Sequence, residues 1–235
     1  MTATRAVVPL LLLFASCIET PSPDAAKTAA APPSPSADPS RPLPLPLPDV
    51  VARVNDQEIR IRQILPLAKA ALDKVSVAER EKRKPQIVRH ALDSYVSREL
   101  LLQEALARGI VADTRAVEQS YDQLRAEHAG DAEWAHFLSE QGSDPQAFKA
   151  ELRVQHTVAT LVAQEVHSWP VPEAEARAVF ESNPQGFGPP GAAEPPSFEA
   201  VRSEVEQAVR RHKADEIQAA LVARLRARAK IELYI

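Results

Sequence analysis

Pro85–Ile110 reads PQIVRHALDSYVSRELLLQEALARGI. Leu92, Tyr95, Val96, Leu100, Leu101 and Ala105 recur within it at spacings that place them on one face of a helix. Pro85 fits a first helical turn, where its missing N–H has no partner to lose. Gly109 stands where a helix would end, because glycine adopts the left-handed conformation that closes many helices. The stretch therefore predicts one long helix over 86–108 and, with it, a mainly α fold.

Toward the C-terminus the same punctuation repeats. Asp113 or Thr114 can cap a helix running to about 128, and Gly130 ends it. Asp131 opens a short helix closed by Gly142. Ser143-Asp144-Pro145 supplies a cap and a first-turn proline for a helix to about Val166, with Phe148, Leu152, Thr157, Leu161 and Val162 inward. Trp169-Pro170 breaks the chain, and Val171-Pro172 starts a helix through Ser182. Residues 183–196, NPQGFGPPGAAEPP, carry three Gly and five Pro and are predicted to be loop. Ser197 then caps a single helix over 198–228, its stripe being Val201, Val205, Val209, Ile217, Leu221 and Leu225. Ala229–Ile235 alternates apolar and polar residues, which predicts a strand.

Toward the N-terminus, Asn55-Asp56 separates short apolar runs and predicts a hairpin over 50–54 and 58–60. A helix follows over 61–73, with Pro66 in its first turn or kinking it. A terminal strand needs a partner, and the hairpin is the other strand material in the sequence. The two ends of the 50–235 domain should therefore meet in one small sheet.

The remaining composition narrows the chemistry. Lys and Arg number 28 against 32 Asp and Glu, a net charge of −4, so no nucleic-acid footprint is expected. A single Cys excludes a disulfide framework and a multi-thiolate metal site. The six histidines, His90, His128, His136, His156, His167 and His212, lack the spacing of a zinc helix, and no phosphate loop or nucleophile elbow occurs. No catalytic residue, metal or cofactor is assigned. Arg224, Arg226, Arg228 and Lys230 read as cations favoured by a helix C-terminus.

The first residues resemble a bacterial lipoprotein signal peptide. Arg5 begins it, Ala6–Ala15 is an apolar run too short to span a bilayer, and small residues precede the lone Cys17. The resemblance implies removal of 1–16, lipidation of Cys17 and a cell-envelope location facing the periplasm. Ile18 after the Cys, rather than Asp, favours the outer membrane. Residues 17–49 hold ten of the 21 prolines, cannot bury a core, and read as an extended tether.

The order of motifs beyond the tether resembles the SurA/PrsA-type periplasmic foldases. Val51-Ala52-Arg53-Val54-Asn55-Asp56 with Glu58-Ile59 is similar to their opening, and Ala91–Ile110 to their long helix. Phe137-Leu138-Ser139-Glu140-Gln141-Gly142 with Phe148 and Glu151-Leu152-Arg153 follows, then Val171–Phe187 and the closing Phe198–Glu232. The resemblance implies a multi-helix SurA N-like chaperone domain with a small sheet from the hairpin and the C-terminal strand. In that family a parvulin prolyl-isomerase domain typically stands where this chain has only 183–196. None of the isomerase residues therefore has a position here.

The expected function is that of a membrane-anchored chaperone for unfolded or nascent envelope proteins, without isomerase chemistry. Two alternatives stay open: a prolyl isomerase, as the family would label it, and an assembly lipoprotein with one dedicated partner. Candidate client-binding residues are Trp134, Phe137, Leu138, Phe148 and Leu152. They can either line a groove for clients or pack inward onto the long helices, and the sequence does not separate the two.

Overall fold

The computed structural model describes residues 43, 44, 46–188 and 195–235. The leader over 1–16, Cys17, most of the tether and the middle of the 183–196 stretch lie outside the described residues. The described chain divides into two compact units, one formed by the residues up to Glu99 with Arg226–Ile235, the other by Leu100–Leu225.

The first unit is built on three antiparallel strands. β1 (Val50–Val54) lies between β2 (Gln57–Arg60) and β3 (Ile231–Leu233). The termini do meet, with Ala52 opposite Leu233 and Val54 opposite Ile231. Asn55 makes the closure possible. It takes the left-handed conformation at φ 55°, which Asn tolerates better than most residues. Its N–H donates to the Lys230 carbonyl at 2.7 Å, and its Oδ1 accepts from the Lys230 N–H at 3.0 Å. The hairpin turn and the entry to β3 are thus one structure.

Side chains alternate across this sheet. Ala52, Val54 and Ile59 are fully buried, while Arg53 pairs with Glu58 at 3.0 Å on the opposite face. Lys230 and Tyr234 both bond Glu232 on that polar face. α1 (Ile61–Leu72) begins where the Gln63 side chain accepts the Arg60 N–H at 2.7 Å. Gln63 also donates to the Tyr95 hydroxyl at 2.8 Å, fastening α1 to the next helix. Pro66 lies inside α1 rather than in its first turn.

The long helix starts earlier than expected. α2 spans Val77–Ala107, so Pro85 is interior and not its opening residue. The overlooked start signal is Ser76-Val77-Ala78-Glu79, the Ser-x-x-Glu pattern of a helix N-terminus. The Ser76 hydroxyl donates to Glu79 at 3.2 Å, and the Ser76 carbonyl accepts the Glu79 and Arg80 N–H groups. A capped turn in front outweighs the one hydrogen bond that Pro85 removes.

The second unit contains α3 (Thr114–Ala126), α4 (Asp131–Glu140), α5 (Pro145–Ser168), α6 (Glu173–Ser182) and α7 (Arg202–His212), with the end of α2 and most of α8 (Ala214–Arg228). Gly109, Gly130 and Gly142 all have positive φ, at the helix boundaries where they were expected. Asp144 caps α5 by accepting the Gln146 and Ala147 N–H groups at 2.8 and 2.9 Å. The core includes Leu101, Val117, Val158, Leu161 and Leu221, each almost fully buried.

Two expectations over 183–228 need correction. Pro184–Phe187 forms a 3₁₀ turn inside the predicted loop, with Phe187 half-buried and its ring 6.1 Å from Phe180. The single helix over 198–228 is instead a 3₁₀ turn at Phe198–Ala200 followed by α7 and α8, interrupted at Lys213. The charges explain the break. Arg210, Arg211 and His212 fill the last turn of α7, and Asp215 and Glu216 the first turn of α8. Each set is favoured at its own helix end and would be indifferent in mid-helix. The Lys213 ammonium also bonds Glu175 at 2.9 Å and Glu216 at 3.3 Å.

Candidate functional site

Gly130 and Gly142 bracket α4, so its ten residues are held mainly by their side chains. Trp134 and Leu138 lie one turn apart on its inner face and are 4% and 3% exposed. Phe148 and Leu152 reach the same region from α5, also buried. Phe137 is half-buried, stacked on Trp134 with ring centroids 5.3 Å apart. The five candidate client-binding residues therefore divide: four are enclosed, and Phe137 alone retains substantial surface.

The cluster is larger than periodicity suggested. Tyr121 of α3 meets Trp134 edge-on at 5.4 Å and Phe148 at 6.3 Å. Its hydroxyl accepts the Trp134 indole N–H at 3.0 Å, so the buried indole nitrogen is satisfied. His128 packs on Trp134 at 5.1 Å and on Phe137 at 4.7 Å. Lys149 sits over the Tyr121 ring at 4.5 Å and pairs with Glu118 at 2.5 Å. Tyr121 was legible in principle, since it lies four residues after the buried Val117 on one face of α3. His128 was not, because it follows the helix end, where no period applies.

Among the described residues the large exposed apolar side chains include Tyr234, 43% exposed, in the first unit. In the first unit Leu65 and Val77 are 48% and 79% exposed; in the second, Leu106 and Val111 are 54% and 68%. Among the described residues no three His, Cys, Asp or Glu side chains converge on a point that could hold a metal ion. Ser120 and His156 are within hydrogen-bond reach, 2.9 Å apart. A hydrolytic site would also need an orienting acid and oxyanion donors. The contact reads as a polar tie between α3 and α5, beside the buried Thr157 hydroxyl, which accepts the Ala112 N–H at 3.0 Å.

Glu165 is the electrostatic centre of the second unit. Arg108 bonds one oxygen at 2.6 Å and Arg224 the other at 2.7 Å. Burial pushes its carboxyl up, but the hydrogen bonds from Arg108 and Arg224 outweigh burial and hold it below the ordinary carboxylate range. A depressed folded-state pKa contributes stability above the unfolded value, about 4.3 for Glu, and loses it as pH falls through the folded value. Glu165→Gln should therefore lower stability by about 1–2 kcal/mol at pH 7. The difference from wild type should shrink as the pH is taken below the ordinary Glu range, which urea titrations at several pH values will measure. A gap that persists at the most acid pH would assign the loss to packing instead.

A sequence-family model described as a SurA-like N-terminal domain matches residues 43–162, just over half of the chain. The match takes in β1, β2, α1 to α4 and most of α5. No curated protein matches the chain.

Proposed function

The chain belongs to the family of SurA-like N-terminal domains, and on that premise we propose that it is an extracytoplasmic chaperone, anchored through Cys17, that holds unfolded or nascent envelope proteins without isomerase chemistry. Domains of this family are generally extracytoplasmic, and among the described residues no helix is long and apolar enough to cross a membrane. A lipid on Cys17 would supply the attachment. The observation that carries the reading is the family match together with the sheet that β3 completes, which joins the closing strand to the matched N-terminal hairpin.

The interval between α6 and α7 supports the absence of isomerase chemistry. A Cβ placed on Gly188 would come within 3.0 Å of the Pro196 ring, so the two edges of the interval are neighbours. Phe180 bridges them, with its ring 6.1 Å from Phe187 and 5.6 Å from Phe198. An inserted domain can be lost at such a point without disturbing the helices on either side. The interval 183–196 is far too short for a parvulin fold.

Exposed apolar side chains such as Leu65, Val77, Leu106 and Val111 offer contacts for weak, sequence-tolerant binding of unfolded chains. The test is a pair of assays on the full chain: suppression of aggregation of a denatured outer-membrane protein, and acceleration of a proline-limited refolding reaction. Suppression without acceleration is expected. Catalysis at substoichiometric protein would overturn the non-enzymatic reading, and failure to suppress aggregation would favour a dedicated assembly partner. For the anchor, Cys17→Ser should move the protein from the membrane to the soluble fraction with its melting temperature unchanged, since two or more acyl chains are needed for stable attachment. A Cys17→Ser protein that still sediments with membranes would defeat the lipid anchor.

A further inference from the structure

Charge is divided unevenly between the two units. The first carries 17 Lys and Arg against 12 Asp and Glu, the second 11 against 20. The excess of the first unit is local: residues 62–84 hold seven Lys and Arg against three acids, Asp73, Glu79 and Glu81. Arg80 is engaged by Asp73 at 3.9 Å and by the Val75 carbonyl at 3.1 Å. The other six, Arg62, Lys69, Lys74, Lys82, Arg83 and Lys84, are exposed and pair with no carboxylate among the described residues.

These cations flank exposed apolar side chains. On α1, Leu65 lies between Arg62 and Lys69 at spacings of three and four residues, which share one helix face, and is 48% exposed. Val77, 79% exposed, opens α2 between Lys74 and Lys82. No side chain of α2 is buried before Val88, so its first turns stand clear of the core. A helix end exposed all round offers a peptide neither a strand edge nor a groove to lie in. Basic residues around single apolar side chains suit an anionic bilayer, where lipid phosphates meet the cations and the apolar tips enter the headgroup layer. A lipid on Cys17 would hold this unit within about 100 Å of a bilayer, the reach of the extended tether, so a weak contact is enough.

We propose that residues 62–84 form a membrane-contact surface, in which the free cations bind the phosphates of anionic lipids while Leu65 and Val77 enter the headgroup layer. The inference rests on the lipid-anchor reading and adds a second, electrostatic attachment that turns the basic unit toward the bilayer. It assigns Leu65 and Val77 to lipid and leaves Leu106 and Val111 of the second unit to clients. Screening at physiological ionic strength keeps the contact too weak to hold the chain unaided, so the release expected of Cys17→Ser stands.

The probe is vesicles of equimolar phosphatidylglycerol and phosphatidylcholine, beside vesicles of phosphatidylcholine alone, cosedimented with the mature chain 17–235 carrying Cys17→Ser. At low salt, about 10 mM, binding to the anionic vesicles should be at least tenfold tighter than to the neutral ones, and it should fall at least tenfold at about 150 mM. Lys82→Glu, Arg83→Glu and Lys84→Glu combined should weaken it at least tenfold with the melting temperature unchanged, since all three side chains are exposed. Val77→Ser should weaken it severalfold. Arg115→Glu, Arg153→Glu and Arg211→Glu combined make the same charge change on exposed residues of the second unit, and should leave most of the binding intact. Equal loss in the two triple variants would overturn the surface in favour of net charge. Absence of vesicle binding at low salt would overturn it too, and so would binding of poly-glutamate without binding of vesicles, which would give the cations to acidic polypeptides. None of these results touches the lipid anchor, which fractionation of Cys17→Ser cells tests separately.

Discussion

Removing Ile231–Ile235 from the full chain should cost on the order of 4 kcal/mol of stability, a large share of what a domain normally possesses. Three cross-strand pairs disappear, Ala52 with Leu233, Arg53 with Glu232 and Val54 with Ile231, along with the bond from Tyr234 to Val51. Each hydrogen bond contributes about 1 kcal/mol net, and burying an aliphatic side chain such as that of Ile235 about 1.5–3 kcal/mol. What remains is a two-stranded hairpin, marginal on its own. Ala52 and Val54, fully buried now, would lie beside an open edge, so aggregation should accompany the loss. Urea unfolding of the truncated and full chains, followed by circular dichroism, measures the effect. An unchanged midpoint would show that β3 adds nothing to the sheet.

Trp134→Ala should cost about 3–5 kcal/mol, the usual range for deleting a buried aromatic side chain. The indole touches Tyr121, His128, Phe137 and Phe148, and its removal leaves the Tyr121 hydroxyl without the indole N–H. The melting temperature should fall by about 10 °C. Trp134→Phe should recover roughly half of the loss, because it restores ring contact but not the hydrogen bond. A groove-lining Trp134 would behave in the opposite way: the melting temperature would hold and client binding would fall.

The two outcomes for Trp134 bear on whether the aromatic cluster is groove or core, a question that the sequence left open. The spacing of Trp134, Phe137 and Leu138 on a short helix is the same whether that face meets clients or α3. Periodicity identifies an apolar face but not what covers it. Tyr121 and Phe148, brought from other helices, enclose the indole, and both contacts are tertiary. The sheet was different. Alternation over Ala229–Ile235 required a partner strand, and the chain offered only the Val50–Arg60 hairpin, so the pairing followed by elimination.

Helix ends show the same division. Gly109, Gly130 and Gly142 marked boundaries correctly because positive φ is a local demand that glycine meets best. The capping residues Asp113 and Asp144 were legible for the same reason, since each bonds N–H groups two or three residues on. Pro85 misled because a proline's effect depends on what precedes it: with Ser76 capping the turn in front, the helix continues through. Lys213 misled because the apolar stripe keeps its phase across the break, and only the reversal of charge around it marked the interruption.

The sequence by itself determined the mainly α class, the helix boundaries that glycines and caps enforce, the meeting of the two ends in one sheet, and the shortness of the interval at 183–196. These depend on residues close in sequence, or on alternation that admits a single partner. Tertiary structure alone decided that Trp134 is enclosed and that Glu165 is held between Arg108 and Arg224. Each of these joins side chains far apart in the chain, and their meeting depends on how helices pack, which no local pattern encodes.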